Sequence, residues 1–209
     1  MTEARKNKKS EWILAFDTSA AQCAAALLRG DRMILRSEPM AKGQAERLIP
    51  LLEEMLAGAG IGWVDLCAIG VGTGPGNFTG VRISVSAARG LALGLGIPAV
   101  GVTALEAMAF GATRPVSVMI DARRDEVYVQ SFTDQGPGLA RLTGAAVVQT
   151  EAAGHVIGLG GADARHGLAE AIARITAERW HSPQPRPAPF YLRGADAAPP
   201  SDPPPVILP

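Results

Sequence analysis

An α/β fold is predicted, with mixed sheets and helices on both faces. Three observations predict it. Short apolar runs of strand length alternate with stretches of helical periodicity. The first three runs are joined by connections short enough for antiparallel neighbours. A glycine-rich loop, Gly72 to Gly80, then joins a strand-like run to a long helix-like one. At 209 residues the chain can form one large domain or two small lobes with a substantial core. Its apolar fraction of 47% and charged fraction of 19% are those of an ordinary soluble globular protein.

Trp12 to Phe16 is the first run and ends in Asp17-Thr18-Ser19; Cys23 to Leu28 is the second. Gly30-Asp31 turns it into Arg32 to Ser37, completing an antiparallel meander. A helix follows, because Leu48, Leu51, Leu52, Met55 and Leu56 make one apolar stripe with Glu53 and Glu54 opposite. Pro50 predicts that the regular helix begins near it or kinks there. Leu66 to Val71 is a buried strand, and the helix after the loop runs from Val81 to about Leu95. That helix is rich in small residues, and its glycines cost about 1 kcal/mol each against alanine, which close approach to a neighbouring element would offset. Pro98 to Val102 is another strand and Ala104 to Phe110 a short helix.

A smaller second lobe is predicted from residue 113. Val116 to Ile120, Glu126 to Phe132 and His155 to Leu159 are its strands, and Leu168 to Ile175 is an amphipathic helix. Residues 181–209 hold ten of the sixteen prolines and exclude regular structure, with Phe190, Tyr191 and Leu192 expected to dock on the body. The expected division is a disordered basic N-terminus over 1–10, a first lobe over 11–112, a second over 113–180 and a proline-rich tail over 181–209. Three meander strands followed by helix, strand, helix, strand, helix is the order of a ribonuclease-H-like lobe. The predicted class is therefore a ribonuclease-H-like, actin-like (ASKHA) two-lobe fold with mixed sheets and a truncated second lobe.

Composition narrows the function. Zero formal net charge argues against a free-standing nucleic-acid binder with a broad basic face. Arg5, Lys6, Lys8 and Lys9 form the basic cluster, for which a solvated terminus is the favoured reading. Cys23 and Cys67 lie inside apolar runs and are expected to be reduced core residues. With no signal peptide and no membrane-spanning run, a cytoplasmic location is expected.

Two features are candidates for chemistry. Asp17-Thr18-Ser19 ends a strand, where a carboxylate and hydroxyls can position Mg²⁺ and phosphates or simply satisfy turn N–H groups. The glycine loop can cradle an anion at a helix N-terminus or make a tight strand-to-helix connection. It lacks the Gly-Lys-Ser/Thr ending of a Walker A loop. The three histidines, His155, His166 and His181, are not at ligand spacing, and no Gly-x-Ser-x-Gly elbow is present.

Several segments together closely resemble the TsaB (YeaZ) family. They are Ile13 to Ser19, Gln44 to Pro50, Gly74-Pro75-Gly76-Asn77-Phe78-Thr79-Gly80-Val81-Arg82-Ile83, Gly90 to Leu93, Gly101 to Met108, Ile120 to Tyr128 and Pro189 to Arg193. The resemblance implies an accessory role in threonylcarbamoylation of adenosine in tRNA. It implies a TsaD-type catalytic partner, a TsaE-type ATPase, a homodimer in isolation, and tRNA contact only through the complex. The metal-binding histidines of the catalytic relative correspond to Ala104 and Met108, which implies no metal, no cofactor and no catalytic residue here. Asp17, Thr18, Gly74 and Gly76 then remain as a vestigial nucleotide site. The expected partner surface is Leu48, Leu51, Leu52 and Met55 with Ser84, Ala87, Ala88 and Leu91, although such a stripe can equally be internal core. Gln44 and Asp125 depart from the family's usual histidine and glycine. The alternatives from other classes are a small nucleotide-dependent phosphotransferase or ATPase of the actin-like superfamily, and a peptidase, against which the missing nucleophile and metal ligands count.

Overall fold

A computed structural model describes residues 11–146 and 154–193. The basic cluster before Glu11 and the end of the proline-rich tail lie outside the described residues. The elements in order are β1 (Trp12–Asp17), β2 (Gln22–Arg29), β3 (Arg32–Pro39), α1 (Gln44–Gly58), β4 (Leu66–Gly72), α2 (Phe78–Leu95), β5 (Ala99–Val102) and α3 (Ala104–Ala109). They continue with β6 (Val116–Arg123), β7 (Glu126–Thr133), β8 (Gly136–Pro137), β9 (Arg141–Gly144), β10 (His155–Gly158) and α4 (Leu168–Arg179).

The first sheet has the order β3-β2-β1-β4-β5. β1, β2 and β3 pair antiparallel, while β4 is parallel to β1 and β5 to β4. This is the ribonuclease-H-like arrangement that the element order predicts. Side chains alternate across a strand, so β1 supplies both layers of core. Trp12, Leu14 and Phe16 face α1 and α2; Ile13 and Ala15 face the opposite side. α1 begins at Gln44 and carries Pro50 in its interior, six residues earlier than the proline suggests. α2 likewise begins at Phe78, three residues before the expected start, because Asn77 caps it there.

The rear face of the first sheet is covered by α4, whose Ala169, Ile172, Ala173 and Ile175 pack on Ile13, Ala15 and Val100. Approach is close at Gly70, where a Cβ would overlap the Thr176 hydroxyl. This corrects the expected division at residue 112. α4 belongs to the first lobe, because its apolar stripe closes that lobe's open face rather than the second sheet.

The second lobe is thus an insertion between α3 and α4. Its sheet has the order β10-β6-β7-β8, with β9 also paired to β7. β10 is parallel to β6 and β6 antiparallel to β7, so this sheet too is mixed. Val116, Val118, Phe132 and Ile157 pack against Leu105 and Ala109 of α3, together with Phe190 and Leu192 from the tail. The β6–β7 turn places Arg123, Arg124 and Asp125 at φ of 63°, 55° and 59°, the left-handed region that glycine occupies most readily.

Candidate functional site

Asp17 ends β1 under the start of α2, with no solvent exposure. Its Oδ1 accepts from the Ser19 backbone N–H at 2.9 Å and the Ser19 hydroxyl at 2.8 Å. Its Oδ2 is buried and has no partner among the described residues. Burial pushes the Asp17 carboxyl up from its ordinary value, against the opposing effect of the Ser19 bonds. Thr18 donates its hydroxyl to the Gly80 carbonyl at 2.6 Å.

The glycine loop closes around this turn. A Cβ at position 72 would overlap Asp17 Oδ2, one at 80 would overlap the Thr18 carbonyl, and one at 76 would lie 2.8 Å from the Ser19 backbone oxygen. Only glycine leaves room for these approaches. The Asn77 backbone N–H donates to the Ser19 carbonyl at 2.7 Å. Its side chain accepts from the Gly80 N–H at 2.9 Å, which caps α2. Gly74 sits at φ 91°, and its carbonyl accepts from the Ala104 N–H at 2.8 Å. Phe190 donates its N–H to the Thr73 carbonyl at 2.8 Å, so the tail lies across the loop. The structure therefore brings Asp17, Thr18, Gly74 and Gly76 together, packed against one another and against the tail. The spacing of Gly72, Gly76 and Gly80 was the available sign of this tight packing.

The expected partner surface is corrected in part. Leu48, Leu51, Leu52 and Met55 are buried in the core between α1 and the first sheet. Ala88 is buried there too, and Ser84 donates its hydroxyl to the Val81 carbonyl inside the helix at 3.1 Å. The apolar stripe thus takes its internal alternative, since α1 must cover the front of β1 and β2. Ala87 and Leu91 are half-buried against the same core. The exposed face of α2 is instead Phe78, Thr79, Arg82, Ser86, Gly90 and Leu93. Leu93 is 80% exposed and Phe78 49%. The Arg82 guanidinium sits 3.7 Å over the Phe78 ring and donates through Nε to the Tyr191 hydroxyl at 2.9 Å. Arginine and aromatic side chains grouped in this way are the composition of interface hot spots.

Ala104 and Met108 stand one turn apart on α3, the first buried and the second packed against the second-lobe core. His166 is bonded through Nδ1 to Glu170 at 3.0 Å. Cys23 and Cys67 are free and buried, and burial pushes the Cys67 thiol up to about 11. No helix of the described residues is long and apolar enough to cross a membrane.

Comparison with known proteins gives this geometry a context. The family model described as "TsaD: tRNA N6-adenosine threonylcarbamoyltransferase" matches residues 38–198. The chain is 40% identical over 132 residues to the tRNA threonylcarbamoyladenosine biosynthesis protein TsaB of Escherichia coli, covering 61% of this chain and 57% of that protein. It is 39% identical over 122 residues to TsaB of Haemophilus influenzae, covering 56% and 51%. The chain thus spans little more than half the length of these relatives. YeaZ from Pseudomonas aeruginosa has a similar structure, with a TM-score of 0.67 and 26% identity over 87% of this chain and all of that one. A second structure from that organism, described as an uncharacterized protein with similarity to peptidase YEAZ, has a TM-score of 0.70 and 25% identity over 88% of this chain and all of that one. With most of its length matched by the family model and its fold shared with YeaZ, the chain belongs to the TsaD-type family and, within it, to the TsaB (YeaZ) group.

Proposed function

We propose that this chain is a non-catalytic accessory subunit in the synthesis of threonylcarbamoyladenosine in tRNA. In this reading it binds and supports a TsaD-type catalytic subunit and helps recruit a TsaE-type ATPase. The observation that carries the proposal is the closed strand end. The space where an actin-like enzyme would hold metal and phosphates is packed by Asp17-Thr18-Ser19, Gly72, Gly76 and Gly80, with Phe190 bonded across the loop. Any nucleotide contact at Asp17, Thr18, Gly74 and Gly76 is vestigial in this reading. Ala104 and Met108 support it further, because neither offers nitrogen or oxygen to a metal.

The partner surface in this proposal is the exposed face of α2 with the Phe78–Arg82–Tyr191 cluster at its start. A second copy of the chain uses the same face when the catalytic subunit is absent. The test is tRNA modification by the chain alone, then with TsaD-type and TsaE-type partners, ATP and the threonylcarbamoyl donor. Product in the full mixture, lost when this chain is omitted, is the expected result. Product from the chain alone would overturn the proposal, as would full activity without it. Leu93→Glu is the surface variant for pull-down of the catalytic partner, and undiminished capture would move the interface elsewhere.

A further inference from the structure

The first sheet ends in a strand whose outer edge meets no other strand of the described residues. β3 stands at the end of the order β3-β2-β1-β4-β5 and pairs with β2 alone. That pairing runs from Arg32 to Pro39 without a break in register. One step beyond it, the Met40 N–H donates to the Ala21 carbonyl at 2.9 Å. Hydrogen-bonded and non-hydrogen-bonded pairs alternate along an antiparallel ladder. Arg32, Ile34, Arg36 and Glu38 therefore turn their backbone groups inward to β2. Met33, Leu35 and Ser37 turn theirs outward, where no described strand receives them.

Natural edge strands are commonly blunted by a bulge, an interior proline or repelling charges. β3 has no bulge, and its proline, Pro39, comes at its end. Met33 packs on the rear core and Ile34 on the front one, while Leu35, on the rear side, stays 53% exposed. Leu35 is the middle of the outward-turned set, and the strand is complementary to itself about that point. Running β3 antiparallel to a copy of itself, with Leu35 opposite Leu35, sets Arg32 opposite Glu38, Met33 opposite Ser37 and Ile34 opposite Arg36. Each of these pairs falls on one face of the joined sheet. The charges thus attract in this register instead of repelling. Arg32 has no carboxylate partner among the described residues and rests 5.4 Å from the Trp12 ring. Arg36 brings no unmet charge to Ile34, because Glu38 and Glu54 already pair with it.

We infer that β3 docks on β3 of a second copy of this chain, about a two-fold axis at Leu35, so that the two first sheets join edge to edge. Leu35 exchanges both backbone hydrogen bonds with its counterpart, and Met33 does so with the second copy's Ser37, in both directions. The contact is isologous, so it closes on itself as a dimer. It is separate from the α2 contact of the proposed function, since α2 packs on β1, β4 and β5. Each copy therefore keeps its α2 face free for a catalytic partner, and two such pairs are joined through β3.

Sedimentation equilibrium of the Leu93→Glu chain, from about 1 to about 100 µM, tests the pairing with the α2 contact removed. Self-association should persist in that background and be abolished by adding Leu35→Pro, which removes the outward N–H at the centre. Arg32→Glu should weaken it about tenfold, because symmetry turns two attracting pairs into two repelling ones. Thermal melts of each variant separate loss of pairing from loss of fold. Cysteine cross-linking decides the register without either change. Residues in a hydrogen-bonded antiparallel pair have Cα atoms about 5.5 Å apart, a span that a disulfide bridges. Under a mild oxidant, Leu35→Cys should give a covalent dimer. Ser37→Cys should not, because its counterpart lies four residues along the strand, about 13 Å away. Cys23 and Cys67 are buried and leave the wild type as the blank. Equal cross-linking of the two variants, or of neither, would overturn the inference. So would a Leu93→Glu chain that stays monomeric throughout, a result that leaves the proposed function standing. Capture of a TsaD-type partner that is lost in Leu35→Pro and kept in Leu93→Glu would assign the edge to that partner and overturn it as well.

Discussion

Replacing Gly80 with alanine sets helix propensity against close packing within one helix. Alanine is favoured over glycine by about 1 kcal/mol in a helix interior. At position 80, however, the new Cβ would overlap the Thr18 backbone carbonyl, and a backbone atom cannot rotate away. The start of α2 must retreat, at an overpacking cost of about 2 kcal/mol. Retreat also weakens the hydrogen bond from Thr18 to the Gly80 carbonyl, worth about 1 kcal/mol. The Asn77 cap, which bonds the Gly80 N–H, loses a similar amount, about 1 kcal/mol. Gly80→Ala should therefore destabilise the protein by about 3 kcal/mol net, or roughly 6–12 °C in Tm for a chain of this size. Gly90 provides the control, being exposed on the same helix with nothing within 4 Å of an added Cβ. Gly90→Ala should stabilise by about 0.5–1 kcal/mol. Urea unfolding followed by circular dichroism measures both. If Gly80→Ala is as stable as the wild type, the loop does not pack on the Asp17-Thr18-Ser19 turn as described.

Three further outcomes are expected. Asp17 has a raised pKa in the folded state, so its contribution to stability is present at low pH and declines as pH rises from about 3.8 through the raised value; Asp17→Asn should abolish that decline and be the more stable protein at neutral pH, and an unchanged profile would show that the carboxyl titrates normally. Glu54 behaves oppositely, because its bonds to Arg47 hold its carboxyl down at about 2. Its contribution should vanish as pH falls from 4.5 through that value, and Glu54→Gln should flatten this acid limb of an unfolding curve. At the β6–β7 turn, Asp125→Gly should stabilise by roughly 0.5 kcal/mol, the left-handed strain relieved at φ 59° less the added freedom of the unfolded chain; a loss in thermal melts would show that the Asp125 side chain contributes something the strain argument omits.

The order of elements was readable because each carries a local pattern. The alternation in β1 and the stripe of α1 follow from side-chain periodicity alone. The start of α1 at Gln44 was hidden by Pro50, whose local preference is overridden by burial of the surrounding leucines. The destination of α4 was illegible for a different reason. Its stripe shows that it has an apolar face, and nothing local says which sheet that face covers. The same ambiguity sent Leu48, Leu51, Leu52, Met55, Ser84 and Ala88 to an expected surface when their side chains fill the interior. At the strand end, Asp17 and Thr18 lie against the glycine loop that carries Gly74 and Gly76. Whether glycine leaves space for a ligand or for the chain itself depends on residues distant in sequence, such as Thr18 beneath Gly80 and Phe190 above Thr73.

The position of α4 bears on how the chain reaches its folded state during synthesis. The sheet begun by Trp12 is complete in its strands at Val102, yet its rear face stays open until Ile172 and Ile175 have left the ribosome. Some seventy residues, including the whole second sheet, are made in that interval with Ile13, Ala15 and Val100 uncovered. A fragment ending at residue 112 would carry the same exposed face permanently, and adding the α4 segment as a separate peptide is the minimal repair. The two lobes are therefore nested rather than consecutive, and the first to begin is the last to close.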